Sequence, residues 1–211
     1  MGYQVILFDL DGTLTDSAPG ITNAVRYALK HFGMEEPDEA FLLRFVGPPL
    51  HAAFREFCGF TPEAAEEAVA VFREYYREKG IHENRVYEGV KPLLASLKAA
   101  GKRICVATSK PQALAERVIR SFDLEQYFDV VSGASLDETH SQKTAVILRA
   151  MELVSAEKNE TLMIGDRRFD IEGAHECGIH ACGVLYGYGS REEFASAEYI
   201  AKNVNDILQF V

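Results

Sequence analysis

At 211 residues the chain is long enough to bury a sizeable core, either as one domain or as one domain carrying an insertion. Its 22 Lys and Arg are outnumbered by 32 Asp and Glu, giving a formal charge of −10 and a pI near 5.1. That balance offers no basic footprint for a nucleic-acid polymer, disfavours an anionic membrane surface, and requires any anion to be met by a local positive site.

The first apolar run, Val5-Ile6-Leu7-Phe8, is bounded by Gly and polar residues and reads as the central strand of a parallel sheet. It ends in Asp9-Leu10-Asp11-Gly12-Thr13, so two carboxylates stand where a strand ends and where ligands of open α/β sheets bind. Two acids this close repel unless a cation or a shared proton offsets their charge. An Asx-rich turn closing the strand is the alternative reading of these five residues.

From about Ser17 to Asn84 the pattern is helical only: Ile21–Phe32 ended by Gly33, a short helix after Asp38, Leu50–Phe57, and a long helix after Thr61-Pro62 that runs to Gly80. Thr61 suits an N-cap and Pro62 a first helical position. The block reads as a second, smaller domain, residues 17–84, lying over the crevice of a core made of 1–16 and 85–211. A bundle that only adds core is the alternative.

Strands and helices then alternate. The strands are Ile104–Ala107, Val130–Val131, Leu162–Ile164, Ala181–Leu185 and Tyr199–Ala201. The helices are Val90–Ala100, Pro111–Phe122 with proline in its first turn, Lys143–Leu153 and Ile171–Cys177. This alternation predicts an α/β fold: a Rossmann-like parallel sheet with helices on both faces, plus the inserted α-helical cap. Four cysteines, Cys58, Cys105, Cys177 and Cys182, form no C-x-x-C pair. With no membrane-span pattern and no signal-peptide pattern, a reduced cytoplasmic setting is expected.

Three strands end in groups that suit a phosphate and a metal. Thr108-Ser109-Lys110-Pro111 places hydroxyls and N–H groups before a helix, though an ordinary N-cap would look the same. Gly165-Asp166 with Asp170 adds two carboxylates at i and i+4, and together with Asp9 these are the hard oxygen ligands that Mg²⁺ prefers. Lys143 opens a helix in the same half and can serve as a point charge on phosphate or lie on the surface. His140 reads as a substrate contact or a solvated loop histidine.

These motifs together resemble the haloacid dehalogenase superfamily of aspartate-nucleophile hydrolases over nearly the whole chain. Asp9-x-Asp11-Gly12-Thr13 is similar to its first motif, Thr108-Ser109 to the second, Lys143 to the third, and Gly165-Asp166 with Asp170 to the fourth. The helical insertion resembles the cap of the phosphoglycolate phosphatase-like branch. Gly47-Pro48-Pro49, Ala107-Thr108-Ser109-Lys110-Pro111, Gly165-Asp166-Arg167 and Leu185-Tyr186-Gly187-Tyr188-Gly189-Ser190 resemble a bacterial subgroup of 5′-nucleotidase-like phosphatases, with His140 standing where that subgroup has arginine.

The resemblance implies that Asp9 attacks phosphorus and forms an aspartyl-phosphate, and that Asp11 protonates the leaving alkoxide and activates water. It implies Mg²⁺ on Asp9, the Asp11 carbonyl and Asp166, with Asp170 in support, and phosphate oxygens on Thr108, Ser109 and Lys143. Phe45, Gly47 and Leu50, around the Gly-Pro-Pro turn, are the expected cap contacts; a rigid turn without ligand contact is the alternative.

The expected substrate is a small phosphorylated metabolite, first a nucleoside 5′-monophosphate and second phosphoglycolate, turned over by a monomer or homodimer. A dehalogenase would need no acid equivalent to Asp11. A phosphonatase would need a cap lysine, for which only Lys30 and Lys79 are available. A sugar phosphomutase shares Asp9 and Asp11, and a non-catalytic binding module would leave the catalytic positions unused.

Overall fold

All four side chains of the first strand are buried, which a central strand covered on both faces requires. The computed structural model describes residues 2–35, 37–135 and 143–211, and His140 lies outside them. In chain order the elements are β1 (Val5–Phe8), β2 (Thr15–Asp16), α1 (Ala18–His31), α2 (Glu39–Leu43), α3 (Leu50–Cys58), α4 (Pro62–Glu78) and β3 (Arg85–Val86). There follow α5 (Val90–Ala99), β4 (Arg103–Pro111), α6 (Gln112–Ser121), β5 (Val130–Ala134), α7 (Lys143–Leu153), β6 (Thr161–Gly165), α8 (Arg168–Cys177), β7 (His180–Val184) and β8 (Tyr199–Ala201). Two compact units result, one made of 1–15 and 86–211, the other of 16–85.

In the first unit six strands form one parallel sheet in the order β5-β4-β1-β6-β7-β8. Leu7 pairs with Cys105 on one side and Met163 on the other. Because strand side chains alternate, these three share a face, where they pack with Val146, Ile147 and Ala150 of α7 and Ile171 and Ala174 of α8. The alternate residues Ile6, Phe8, Ile104, Val106, Leu162 and Ile164 are equally inaccessible, with α5 against β4 and α6 against β5. Burial on both faces is why these strands read as unbroken apolar runs. The strand order reverses about β1, so the carboxyl ends of β4, β1 and β6 meet at a switch point, where a ligand crevice forms.

Several boundaries differ from the sequence expectation. Strand β4 runs on to Pro111, past the predicted end at Ala107, because Thr108 to Lys110 stay extended through a register shift. Pro111 therefore precedes α6 as its N-cap and is not in its first turn. Helix α8 begins at Arg168, three residues before the apolar period at Ile171, because Asp170 in its first turn accepts the Arg167 N–H at 2.9 Å. Strand β7 lies one residue earlier than predicted at both ends.

The helical unit is built on its own apolar core. The Thr61 hydroxyl accepts the Ala64 N–H at 3.2 Å and Pro62 takes the first position of α4. Helix α4 then packs Val69, Phe72 and Tyr76 against α1 and α3. Phe45 stands with Phe54 and Phe57, ring centres 5.1 and 5.3 Å away. No helix among the described residues is long and apolar enough to cross a membrane. All four cysteines are free, and Cys105 is a fully buried core residue.

Candidate active site

The site forms at the carboxyl ends of β1, β4 and β6. Asp9 directly follows β1, its N–H bonded to the Ile164 carbonyl at 2.9 Å, so its backbone is fixed by the neighbouring strand. Asp166 directly follows β6, and Asp170 sits in the first turn of α8. One oxygen from each of these three buried acids lies within 4.8 Å of the others. Lys143, at the start of α7, reaches in with its stem buried. Its ammonium donates to Asp9 Oδ1 at 2.7 Å and to the Ala107 carbonyl at 3.1 Å, and lies 2.7 Å from Asp170 Oδ1. At 2.7 Å the contact to the buried Asp170 oxygen is an ion pair.

Three carboxylates around one ammonium leave the cluster short of positive charge. Burial, opposed by Lys143 and reinforced by Asp170, pushes the Asp9 carboxyl up to about 6. Burial, with Asp170 and Asp9, drives Asp166 well above the usual carboxylate range. Burial works against the Lys143 ammonium, but Asp170 and Asp9 outweigh it and hold its pKa above the ordinary lysine value. A divalent cation would relieve this imbalance. All-oxygen donors, buried and closely spaced, fit a hard cation of the Mg²⁺ type.

Thr108 is buried in the last half of β4, its hydroxyl accepting the Lys110 N–H at 3.2 Å, and Ser109 beside it is half-buried. Asp11 lies two residues beyond Asp9, in the turn closed by Gly12 N–H to the Thr15 carbonyl at 2.7 Å. Its carboxylate is gripped by Lys110, whose ammonium lies 3.0 and 2.9 Å from the two oxygens. Lys110 is the residue that the sequence reading missed. It sits two positions after Thr108, where burial alternates: Thr108 and Lys110 are buried and Ser109 between them is half-buried. That alternation was the available signal, hidden because the apolar run stops at Ala107.

The other named positions belong to the helical unit. Phe45 is only 1% exposed and its ring is taken up by the aromatic cluster of that unit. The expected inward reach of Phe45 is therefore not available to a ligand in this conformation, because packing has claimed the side chain. Gly47 and Leu50 are half-buried, with Leu50 opening α3 after Pro49.

Residues 6–184 match the model of the haloacid dehalogenase-like hydrolase family. A 5′-nucleotidase from Pseudomonas aeruginosa is 43% identical over 191 residues, covering 90% of this chain and 86% of that protein. The tyrosine-protein kinase PtkA of Mycobacterium tuberculosis is 41% identical over 186 residues, 88% of this chain but only 63% of its own length. The crystal structure of a predicted phosphatase from Clostridium acetobutylicum is 44% identical and superposes with a TM-score of 0.96, covering 99% of this chain and 98% of that one. With the order of motifs, the parallel sheet and the acid cluster at its switch point, the chain belongs to the haloacid dehalogenase-like hydrolases, as one of their phosphatases.

Proposed function

We propose that this phosphatase hydrolyses small phosphomonoesters through an aspartyl-phosphate on Asp9, with a nucleoside 5′-monophosphate as its first-choice substrate. The observation that carries the reading is the Lys143 ammonium held between Asp9 and Asp170 beside Asp166, a buried charge cluster at the ends of two neighbouring strands. Asp9 attacks phosphorus and the ester oxygen departs, which splits one difficult displacement into two easier ones. Asp11 gives a proton to the departing alkoxide, then takes one from the water that hydrolyses the acyl-phosphate. Lys110 is the positioning residue that holds the Asp11 carboxylate once its proton has gone to the alkoxide, in place for the water step. The Thr108 hydroxyl, the Ser109 N–H and Lys143 take the non-bridging oxygens as their charge redistributes.

Asp9, Asp166 and Asp170 would hold Mg²⁺ through carboxylate oxygens, and Asp11 through its backbone carbonyl. Once bound, the cation offsets the repulsion between the phosphoryl group and the attacking carboxylate. The helical unit, on this reading, sets the choice of leaving group, with Leu50 a candidate contact. The Pseudomonas relative named 5′-nucleotidase supports the nucleotide as first choice.

The test is a metal-supplemented screen of phosphorylated metabolites ranked by kcat/KM, including nucleoside monophosphates, phosphoglycolate and a sugar bisphosphate primer. Nucleoside monophosphates at the head of the ranking are expected. A ranking led by phosphoglycolate moves the substrate assignment, and primer-dependent phosphate exchange makes the protein a mutase. Label that leaves a donor and appears on tyrosine, with no release of free phosphate, overturns the hydrolase reading.

A further inference from the structure

The segment after β7, Leu185-Tyr186-Gly187-Tyr188-Gly189-Ser190, has no side chain in the acid cluster, yet it wraps Asp166. The Tyr188 N–H donates to Asp166 Oδ2 at 2.9 Å, and the Thr13 hydroxyl lies 3.4 Å from the other oxygen. The Tyr186 hydroxyl donates at 3.0 Å to the carbonyl of that same Thr13. A Cβ on Gly187 would fall 2.3 Å from the Gly12 carbonyl oxygen and 2.4 Å from Asp166 Cβ, and one on Gly189 would fall 2.0 Å from the Asp166 carbonyl oxygen. These distances leave room for hydrogen only. At the far side Glu193 closes the wrap, accepting the Ser190 N–H at 3.3 Å, the Arg168 N–H at 3.0 Å and the Arg167 guanidinium at 3.2 Å.

We propose that this turn is the positioning device for the cation-binding carboxylate Asp166, with Tyr186, Gly187, Tyr188 and Gly189 as positioning residues. Asp166 is completely buried, and its carboxylate is held by one backbone donor and one long hydroxyl contact. A buried acid with two fixed donors on its outer edge keeps its remaining lone pairs turned toward Asp9 and Asp170. The two glycines set how closely the turn can approach, and Tyr186 ties the turn to the first motif. The device thus joins the loop after β7 to the loop after β1 through a carboxylate that belongs to neither. The inference rests on the reading that Asp166 holds the divalent ion.

The experiment measures Mg²⁺ affinity by titration calorimetry, with thermal midpoints recorded with and without Mg²⁺, on the full chain carrying Gly187→Ala or Tyr186→Phe. Outer partners of metal ligands are worth about 10–100-fold in metal affinity, and Gly187→Ala should fall in that range. Tyr186→Phe keeps the ring and loses one hydrogen bond, so it should weaken Mg²⁺ by about 10-fold, the lower end of that range, while the metal-free midpoint moves little. The apparent KM for Mg²⁺ should rise in both, with the KM for substrate at saturating Mg²⁺ unchanged. A merely structural role would lower the metal-free midpoint and leave the affinity alone. Should Gly187→Ala fail to fold, Tyr186→Phe decides. Wild-type Mg²⁺ affinity in folded variants overturns the positioning role, whereas absence of Mg²⁺ binding in the unsubstituted protein overturns the metal reading and this inference with it.

Discussion

The two units of the chain bury different things. Among the described residues, every buried charged side chain, Asp9, Lys110, Lys143, Asp166 and Asp170, lies in the α/β unit, at strand ends or in the first turn of the helices α7 and α8. Among its described polar residues the helical unit buries Ser17 and Thr22, and it fills its core with Leu29, Leu42, Phe45, Phe54, Phe72 and Tyr76. Burying charge is costly unless each group has a partner, so it persists where it performs chemistry. Burying apolar area supplies stability without reactivity. One unit therefore carries buried charge at a cost in stability, and the other gains stability from packing.

The strongest way to break that contrast is Asp9→Asn. Turnover should fall by at least about 10³-fold, as for loss of a nucleophile, while the midpoint of thermal unfolding in the absence of metal should hold or rise, since the cluster's excess of carboxylates over its one ammonium is reduced while Lys143 keeps Asp170. A purified variant that keeps a tenth of the activity removes Asp9 from the nucleophile's role. Next comes Asp11→Asn, expected to cost about 10²–10⁴-fold on alkyl phosphates and far less on nitrophenyl phosphate, whose leaving group needs no proton. Equal losses across a leaving-group series would mean that Asp11 is not the acid.

Metal and pH act on the same contrast through stability. Mg²⁺ at about 100 times its Kd should stabilise the protein by about 2.7 kcal/mol, or about 5–10 °C in the thermal midpoint. Asp9 is held near 6 against an ordinary value of 3.8, and Asp166 is raised as well. A carboxyl raised in the folded state contributes stability that is complete below its unfolded value and is lost as pH rises through the folded one. Metal-free protein should accordingly lose stability between about pH 4 and pH 6, and the Mg²⁺-induced increment should be larger above that window than below it. A calorimetric series across pH, with and without chelator, checks both signs. An increment independent of pH would separate the cation from these acids.

The smallest effects belong to the helical unit and divide it internally. Phe45→Ala should cost about 3–5 kcal/mol of stability, as for a buried aromatic, and leave the ranking of substrates alone. Leu50→Ala should leave stability nearly unchanged and shift relative kcat/KM between substrates by about 1–3 kcal/mol, least for small aryl phosphates. A changed ranking with Phe45→Ala, or none with Leu50→Ala, would reassign the two roles.

The same contrast explains what the sequence made legible. Unbroken apolar runs located β1 and β6, and acids immediately beyond them located Asp9 and Asp166, because a strand buried on both faces leaves few places for charge. The helix cap at Thr61 was equally readable, since a hydroxyl before proline has one economical use. Lys110 was not legible by apolar run, because β4 continues through polar residues whose burial depends on the turn carrying Asp11, which is remote in sequence. The boundary of α8 slipped because polar first-turn residues carry no apolar period. The 186–189 turn was visible only as a pattern. Its contacts run through a backbone N–H, two glycines and a Tyr186 hydroxyl bonded to a backbone carbonyl, and none of these tells from sequence which carboxylate the turn will meet.

One feature of the helical unit bears on how such a chain can change. The unit begins at Asp16 and ends at Arg85, and these two residues clasp each other, with the Arg85 guanidinium nitrogens 2.9 and 2.7 Å from one Asp16 oxygen. Arg85 is largely exposed, so the pair adds little energy; what counts is that the entry and exit of a 70-residue excursion stand side by side. A segment whose ends meet can be lengthened, shortened or transplanted without moving the strand ends on either side of the junction. Residues 16–85 are in this sense a cassette, and an exchange of cassettes between related chains would test whether substrate range can be moved as a single piece of sequence while Asp9, Lys143 and Asp166 stay where they are.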